Sequence, residues 1–403
     1  MSLATTADRA IATALPQAAE GLAVEVLTGT AALRRHMPDI RRLAQTAHTF
    51  VVFQSTDIVA GWVRAVVDED GRLATVVVRQ GRGIVAVIPV ELRRRGGIMT
   101  ARLAGTPIGQ YDEVLIDPAA DPARVVAAAW AALRQTSGVD VIMLGRVRRD
   151  SALWAACAGA IRLGQPDEAP YADLGDHSGG DAFVATLKDR VRRQLAKRRR
   201  QLADLGPCRF DHPATPEEAA DWMRFALTMK RDWLTRTGRV SRAFASPSTS
   251  DFLVEAARAG YGPADRPVPP GGARLLMSRL TVDGRPAALE AGFLCGSSYH
   301  LYLGAFANEL ARFGAGNVLT EAVLRACADA GVRYYDMLAP DSRSKREWAT
   351  GSVTVTDLAV PLSGVGRLAV NVVHRALLPA ARRVFYRLPL PVRTALADRL
   401  LAR

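Results

Sequence analysis

The order of predicted strands and helices occurs twice along the chain, and this repeat constrains the fold more than any other feature. In the first half, hydrophobic periodicity predicts a strand, a helix, a strand hairpin, a strand, a helix and a closing strand, at 21–29, 30–45, 73–92, 111–116, 121–138 and 139–144. The second half repeats this order, at 206–213, 215–234, 250–260, 273–295, 299–306, 315–330 and 332–338. We therefore predict the duplication of one mixed α/β unit.

The length agrees with two units, because 403 residues exceed one ordinary domain and a hydrophobic content of 49% supplies two cores. We predict an N-terminal domain over 20–165, a basic connecting helix over 181–205, a C-terminal domain over 206–360 and a basic helical tail over 365–403. One apolar stripe of the connecting helix lies beneath its basic face and consists of Leu187, Val191, Leu195, Leu202 and Leu205. This helix either packs the two halves together or attracts an anionic substrate.

The distribution of charge argues against nucleic acid as a partner. The net charge is +13, but residues 365–403 carry 8 basic and 1 acidic side chains, so the two large segments are nearly balanced. The four cysteines form no CxxC pair and no close cluster with the six histidines, which supports neither a disulfide framework nor a metal site. Because no stretch of about 18 apolar residues occurs, the sequence predicts a cytoplasmic protein without a spanning helix.

Two glycines open the second-half helix that precedes the closing strand, in the segment 312-RFGAGNVL. The first turn of a helix exposes backbone N–H groups that lack internal acceptors, and the helix dipole adds partial positive charge. Gly314 and Gly316 allow a phosphate to approach these groups closely, although glycine before a helix also serves ordinary turn geometry. The first half has Asp121 and Pro122 at the equivalent point, where an acidic side chain disfavours phosphate.

The ordered set of motifs resembles the GNAT acyltransferases. More narrowly, it resembles the CelD-type acetyltransferase family associated with cellulose and exopolysaccharide biosynthesis, which is related to the FemABX peptidyl transferases. The segments that carry the resemblance are 53-FQSTDIVAGW, 107-PIGQYDEVL, 190-RVRRQLAKRRRQLADLG, 230-KRDWLTRTG, 313-FGAGNVL and 335-YDMLAPDSRSKREW. The resemblance implies an α/β fold of two tandem GNAT-like domains with mixed sheets flanked by helices. Only the C-terminal domain is expected to bind a cofactor.

In GNAT proteins the acyl-CoA thioester lies where the fourth and fifth strands separate. The resemblance places that point between 299-YHLYLGAF and 332-VRYYDML. The residues implied to bind the acetyl-CoA or other acyl-CoA donor are Gly304, Ala305, Arg312, Gly314, Ala315, Gly316 and Asn317. Direct attack by an amine or a hydroxyl on the thioester requires orientation, removal of a proton and donors for the developing oxyanion.

Several side chains near these strands are candidates for acid–base catalysis. Glu290 lies in the apolar run 286-PAALEAGFLC and is the leading candidate for the base, the alternative being a partly buried glutamate on an edge strand. His300 alternates with its neighbours on the next strand, so we expect it to reach the face of Glu290 or to be a hydrogen-bonded structural histidine. Tyr302 and Tyr335 could protonate the leaving thiolate, although strands bury tyrosines routinely.

The resemblance supplies the remaining candidates and the expected function. Asp336 matches the YD position of the family, the alternative being a cap of the following turn. Lys345 is implied to bind a phosphate or a polar acceptor, and Arg231 and Trp233 to line the acceptor cleft. The implied function is an acyl-CoA-dependent N- or O-acyltransferase that acts by direct transfer on a sugar, an amino acid or a cell-envelope or exopolysaccharide precursor.

Two alternative functions stay open. The first is FemABX-like transfer from aminoacyl-tRNA, for which a broad basic face is expected, and the balanced charge of the two main segments disfavours it. The second is a GNAT-fold scaffold of a polysaccharide machine that has lost its chemistry.

The tail 365–403 combines basic charge with helical periodicity. Its apolar stripe consists of Ala369, Val372, Val373, Ala376, Ala380 and Val384, whereas Arg375, Arg382 and Arg383 lie off it. Pro379 and the segment 388-LPLP limit the tail to short helices. Such helices either pack on the protein itself or lie on the inner face of an anionic membrane, where each basic side chain contributes roughly 1 kcal/mol.

Overall fold

The computed structural model describes residues 21–47, 52–66, 72–239 and 241–401. Within the described residues, the first unit contains six strands and four α-helices, with these bounds: β1 Leu22–Thr28, α1 Thr30–Thr46, α2 Thr56–Val66, β2 Leu73–Gln80, β3 Gly83–Arg95, β4 Ile98–Leu103, α3 Pro122–Ser137, β5 Val141–Arg148, α4 Ala152–Ala156 and β6 Ile161–Asp173. The N-terminal segment 1–20, for which the sequence predicts no spanning helix, lies outside the described residues.

The second unit repeats this order after two connecting helices. The bounds are α5 Gly180–Thr186, α6 Asp189–Ala203, β7 Cys208–Asp211, α7 Pro216–Thr237, α8 Arg242–Ala245, α9 Pro247–Gly260, β8 Arg274–Val282, β9 Arg285–Cys295, β10 Ser298–Phe306, α10 Ala315–Asp329, β11 Tyr334–Asp336, α11 Arg343–Arg346 and β12 Gly351–Pro361. A helical tail follows as α12 Gly364–Ala369, a π-helical segment Val370–Leu377, α13 Leu378–Arg387 and α14 Leu390–Leu401.

Local sequence signals explain where several elements begin and end. Asp121 caps α3 by accepting from the backbone N–H groups of Ala123 and Arg124, and proline occupies the first turn. Thr215 caps α7 by accepting from the backbone N–H of Glu218, and proline again occupies the first turn. The hairpin between β8 and β9 turns at Asp283 and Gly284, whose φ angles of 51° and 72° are those of a tight hairpin turn.

The described strands form one sheet of twelve, in the order β1-β2-β3-β4-β5-β12-β6-β11-β10-β9-β8-β7. The two units exchange their last strands: β12 of the second unit pairs with β5, and β6 of the first unit pairs with β11. β6 and β12 also pair with each other in antiparallel orientation. Each half-sheet is therefore completed by a strand from the other half.

Helices cover both faces of the sheet. One hydrophobic core spans the two halves beneath α1, α2, α7 and α9, and we call this side the α7 face. The opposite side carries a core beneath α3 in the first half and a separate core beneath α5, α6 and α10 in the second half. In the second half we call this opposite side the α10 face. Neighbouring residues of a strand therefore contribute to different cores, as Leu275 and Leu276 of β8 do.

Three details differ from the sequence predictions. The predicted strand at 111–116 is wrong. The strand that follows the β2–β3 hairpin is β4, at Ile98–Leu103, and Ile116 forms only an isolated bridge to Ala86. The predicted single helix over 181–205 is two helices, because Leu187 adopts an extended conformation between α5 and α6. Of its predicted stripe, Val191, Leu195 and Leu202 are buried, whereas Leu205 is exposed. The predicted domain boundaries stay a prediction.

The tail is helical, as predicted, and it is anchored on the first half. Val370 is buried against Val141 and Ala359, and Gly366 lies against the start of β5. In the described part of the chain, no helix combines the length and the apolar character needed to cross a membrane.

We predict that Gly366→Ala loosens the tail, because the new Cβ atom would lie 2.0 Å from the Asp140 carbonyl oxygen of the backbone. The expected cost is about 1–3 kcal/mol of stability together with faster proteolysis of the tail. Gly364→Ala is the matched control, since a Cβ atom there meets nothing within 4 Å. Urea unfolding and limited proteolysis measure both effects, and equal behaviour of the two variants would contradict this anchoring.

Candidate active site

The gap between β10 and β11 is the feature around which the candidate site is built. These parallel strands pair at three positions, the last being His300 opposite Asp336. β10 then continues to Phe306, and within the described ranges no strand pairs with this edge of β10 beyond His300. Gly304 lies in the unpaired stretch, where an added Cβ atom would meet no other atom within 4 Å. In the described part of the chain, the edge of β10 beside Gly304 therefore has no strand partner.

The equivalent gap in the first half is filled by the chain itself. β4 and β5 also pair at three positions and then separate. Asp112, in the connection from β4 to α3, bonds to both backbone groups of Gly145 on β5: its N–H donates to the carbonyl oxygen at 2.9 Å, and its Oδ2 accepts from the N–H at 2.6 Å. Burial raises the pKa of Asp112 to about 7, and the Gly145 N–H opposes this rise. A protein segment thus occupies the place that stays open in the second half.

A glycine turn follows β10 and opens α10. Gly314 has a φ of 70°, in the left-handed region that favours glycine, and the helix begins at Ala315 without an acidic residue in its first turn. Arg198 of α6 lies against this turn, since a Cβ atom on Gly314 would be 2.6 Å from the Arg198 Nε atom. Arg312 is exposed just before the turn, with its guanidinium 4.7 Å from the ring centre of Phe313. Positive charge therefore surrounds the positive end of α10.

Glu290 of β9 lies at the centre of a buried cluster on the α10 face. Its Oε1 accepts hydrogen bonds from the hydroxyls of Tyr335 at 2.5 Å and Tyr299 at 3.1 Å, and its Oε2 accepts from the hydroxyl of Thr320 at 2.9 Å. The rings of Tyr299 and Tyr335 stack with centres 4.8 Å apart. Burial raises the pKa of Glu290, and the three hydroxyl donors reduce this rise. Both carboxyl oxygens are thus engaged by side chains that pack against α10.

Asp336 of β11 connects the two halves on the α7 face. Its Oδ1 accepts from the Tyr111 hydroxyl at 2.9 Å and from the Leu338 N–H at 2.7 Å. Its Oδ2 lies 3.2 Å from Arg148 Nη1 and 3.6 Å from His300 Nδ1. Burial alone would raise the pKa of Asp336, but His300, Arg148 and the Leu338 N–H together hold it below its usual value. The buried group is therefore a carboxylate held by donors from both halves.

Lys345 lies beside the Asp336 cluster and fixes the turn after β11. Its Nζ donates to the carbonyl oxygens of Leu338 at 2.8 Å and Pro340 at 2.7 Å. Burial lowers the pKa of Lys345 to about 8, Asp336 opposes this shift and Arg146 adds to it. Leu338 and Arg146 have φ angles of 57° and 47°, which residues other than glycine rarely adopt. Such strained backbone is concentrated at functional sites.

Tyr302 and the acceptor-cleft candidates lie on the same face as Asp336. The ring centre of Tyr302 lies 6.1 Å from that of Phe244 in α8. Arg231 of α7 donates from Nε to the Phe244 carbonyl oxygen at 3.1 Å, so it holds α8 beside Tyr302. Trp233 is partly buried on α7, with its ring centre 4.7 Å from the Nζ of Lys230.

Of the two alternatives for His300, the one in which it reaches the face of Glu290 is wrong. Adjacent residues of a strand point to opposite faces, and Tyr299, which contacts Glu290, is the neighbour of His300. The same alternation separates Tyr335 from Asp336 on β11. The candidate acid–base residues thus form two groups: Glu290 and Tyr335 on the α10 face, and His300, Tyr302 and Asp336 on the α7 face.

Sequence reasoning missed three residues of this region, Tyr111, Arg148 and Arg198. Tyr111 lies within the quoted segment 107-PIGQYDEVL, and Arg148 lies at the end of β5. Tyr111 and Arg148 reach Asp336 across 225 and 188 residues of sequence, a separation at which no local pattern signals a contact.

A groove of about 480 Å³ between α5, α6 and α10 is a less suitable anion site than the glycine turn. Three of its four lining arginines have acidic partners: Arg192 pairs with Asp189, Arg199 pairs with Glu321 at 2.8 Å, and Arg325 pairs with Glu321 at 3.1 Å and with Asp181. Over the described residues, no three metal-binding side chains come together in a way that could hold an ion.

We predict that Asp336→Asn destabilises the protein by about 3–5 kcal/mol at pH 7, because it removes the buried charge that Arg148 and His300 face. The pKa of Asp336 is lowered in the folded protein, so its stabilising effect is present above about pH 4 and is lost as the pH falls through the folded value. Parent and variant should therefore converge in acid.

Urea unfolding at pH 7 and at pH values below about 4 measures this convergence. Asp221→Asn is the control, because that carboxylate is 72% exposed in a surface pair with Arg224 and its loss should cost less than about 1 kcal/mol. A difference between parent and Asp336→Asn that does not change with pH would refute the assigned charge state.

Comparison with known proteins identifies part of the chain. Residues 189–346 match the family model described as acetyltransferase (GNAT) domain. The chain matches no curated protein by sequence. Its fold is similar to the crystal structure of FemX, with a TM-score of 0.57, 9% identity, and coverage of 84% of this chain and 98% of that one.

A second similar structure is the C-terminal DUF2156 domain of an Agrobacterium fabrum protein named as a lysylphosphatidylglycerol synthetase. Its TM-score is 0.51 at 16% identity, with coverage of 86% of this chain and 96% of that one. At these low sequence identities, the similarity to both structures is evidence for the fold alone. Residues 189–346 are therefore similar to GNAT acetyltransferase domains in sequence, and the repeated strand order of the first half gives the whole chain a tandem GNAT-like α/β fold.

Proposed function

We propose that the protein is an acyl-CoA-dependent acyltransferase that transfers the acyl group directly to an amine or a hydroxyl. The observation that carries this proposal is the open gap between β10 and β11, which lies next to the glycine turn. A Cβ atom on Gly316 would lie 3.5 Å from Phe306 at the end of β10, so the first turn of α10 and the end of the gap are adjacent. One elongated ligand can therefore reach both.

The phosphates of the donor would bind at the glycine turn. Backbone N–H groups of Ala315 and Gly316 belong to the first turn of α10, where the helix dipole favours an anion. The Asn317 N–H already donates to the Gly314 carbonyl oxygen at 3.0 Å, so Asn317 would contribute through its side chain. Arg198 and Arg312 add positive charge at this point. The sequence analysis named Arg312 as the cationic side chain of the donor site, and Arg198 is a second one.

The thioester would lie in the gap beside Gly304 and Ala305. The edge of β10 beyond His300 has no strand partner in the described part of the chain, so its backbone N–H groups can stabilise the oxyanion that develops on the thioester carbonyl. The first half offers no equivalent place because Asp112 is bonded to Gly145 there. One donor molecule would therefore bind per chain, in the second half.

His300 is the base that the geometry supports best. It lies on the α7 face at the start of the gap, and Asp336 lies 3.6 Å from its Nδ1, which orients the ring. Glu290 is less suited, because three hydroxyls engage its oxygens on the opposite face. Tyr302 lies on the same face as His300, and its hydroxyl would have to leave the Ile108 carbonyl oxygen, to which it donates at 2.9 Å, in order to protonate the leaving thiolate.

The acceptor would approach from the α7 face. Lys345, with its pKa lowered to about 8, and the helix segment that contains Arg231 and Trp233 border this side. Sugars, amino acids and cell-envelope or exopolysaccharide precursors are the acceptor classes that we propose to test, in line with the resemblance to the CelD-type family. The inner face of a membrane is the proposed location of such acceptors.

Calorimetric titration with CoA, acetyl-CoA and bulk tRNA separates the candidate functions. Binding of CoA and acetyl-CoA in the micromolar range supports the proposal. Salt-sensitive binding of tRNA without binding of CoA would replace it with an aminoacyl-tRNA-dependent transferase. Absence of binding to all three would favour a scaffold.

We predict that Gly316→Asp weakens CoA binding at least about 100-fold, because it places a negative charge at the positive end of α10. Gly316→Ala is the matched control and should bind nearly as well as the parent, since its Cβ atom makes only an ordinary contact with Phe306. Circular dichroism checks that both variants fold. Unchanged CoA affinity of a folded Gly316→Asp variant would remove the glycine turn from the donor site.

We further predict that His300→Gln lowers the acceptor-dependent release of CoA thiol by about 10²–10⁴-fold while CoA affinity changes little. Glu290→Gln should keep turnover within about tenfold of the parent, because the amide replaces a carboxyl group whose raised pKa favours the neutral form. Thiol release is followed with a panel of amino sugars and amino acids. The opposite ranking of the two variants would make Glu290 the base.

A further inference from the structure

The C-terminal helices expose an unusual concentration of apolar side chains. Of the fourteen large hydrophobic residues that are exposed in the described part of the chain, eleven lie between 365 and 396. Leu368, Leu377 and Val384 are exposed to 64%, 59% and 62%. A concentration of exposed large apolar side chains in one segment is more than the scattered single residues that are normal on a protein surface, and it indicates an interaction site.

The same segment carries positive charge without any acidic side chain. Residues 364–396 contain six arginines and no aspartate or glutamate. Arg367, Arg375, Arg383 and Arg387 are exposed. A partner of this surface must therefore accept apolar side chains and carry negative charge.

The helices are fixed to the body of the protein at two places. Val370 is buried against Val141 and Ala359 of the sheet, and α14 contacts the end of α7, where a Cβ atom on Gly238 would lie 2.5 Å from Leu390. The exposed apolar residues lie between and around these two attachments. They therefore form part of a docked surface and not of a loose extension.

We propose that residues 364–396 dock the protein on the surface of an anionic lipid bilayer. The exposed Leu368, Leu377 and Val384 would insert among the lipid acyl chains, and the arginines would pair with the anionic headgroups. An anionic bilayer is the partner that offers both kinds of contact together. This docking is peripheral, because the helices stay attached to the sheet through Val370. The proposal does not depend on the acyltransferase function and is testable without any activity.

Sedimentation with vesicles tests the proposal on the full chain, since deletion of the tail would expose the core around Val370. The vesicles contain phosphatidylcholine with about one third phosphatidylglycerol, or phosphatidylcholine alone, in about 50 mM salt. The full chain should bind the anionic vesicles at least about tenfold more tightly than the neutral ones. Equal binding to both, or binding to neither, would overturn the proposal.

Matched pairs of variants separate the tail from general surface charge. Arg383→Glu with Arg387→Glu should weaken binding to anionic vesicles at least about tenfold, whereas Arg82→Glu with Arg285→Glu changes the net charge equally at exposed sites in two strand hairpins and should have little effect. Leu368→Ser with Val384→Ser should also weaken binding. Its control is Leu205→Ser with Phe225→Ser, at exposed apolar sites outside the tail.

Equal losses in the tail and control variants would overturn the proposal, because binding would then reflect net charge or general apolar exposure. A dimer in light scattering without vesicles, dissociated by Leu368→Ser with Val384→Ser, would also overturn it and assign the surface to a second copy of the chain. Circular dichroism spectra and melting temperatures establish that all variants are folded.

Discussion

The exchange of β6 and β12 between the two units is the constraint on which the rest of the structure depends. Each strand leaves its own unit and completes the half-sheet of the other, and the two exchanged strands pair along most of their length. One hydrophobic core on the α7 face then spans both halves. The halves are consequently not independent, and a residue of the first half can serve a site in the second at a fixed distance.

Asp336 illustrates this dependence. A carboxylate that is buried in the second unit requires donors, and Tyr111 and Arg148 of the first unit supply them together with His300. Tyr302 likewise donates from its hydroxyl to the carbonyl oxygen of Ile108. The two units share one element order and exchange strands, yet they differ: the first unit places Asp112 against Gly145 and supports the second unit, whose β10 edge has no strand partner beyond His300 in the described part of the chain.

The proposed donor site and the proposed membrane surface lie on different parts of the molecule. The proposed donor site lies between β10, β11 and α10, whereas the proposed membrane surface lies on helices after β12 that are anchored through Val370 and Leu390. Because α14 rests against the end of α7, the tail and the helix that carries the acceptor-cleft candidates Arg231 and Trp233 are in contact. A bilayer-bound acceptor would therefore meet the enzyme on the side where α7 lies.

The sequence by itself determined the repeated order of strands and helices, the caps at Asp121 and Thr215, the glycine turn at Gly314 and the helical tail, because periodicity, capping and turn chemistry act within a few residues. Tertiary structure alone decided that β6 and β12 each pair with a strand of the other unit and that Glu290 and His300 face opposite sides of the sheet. It also decided that Tyr111 and Arg148 reach Asp336. The pairing and register of distant strands fix these contacts, and they leave no local signal in the sequence.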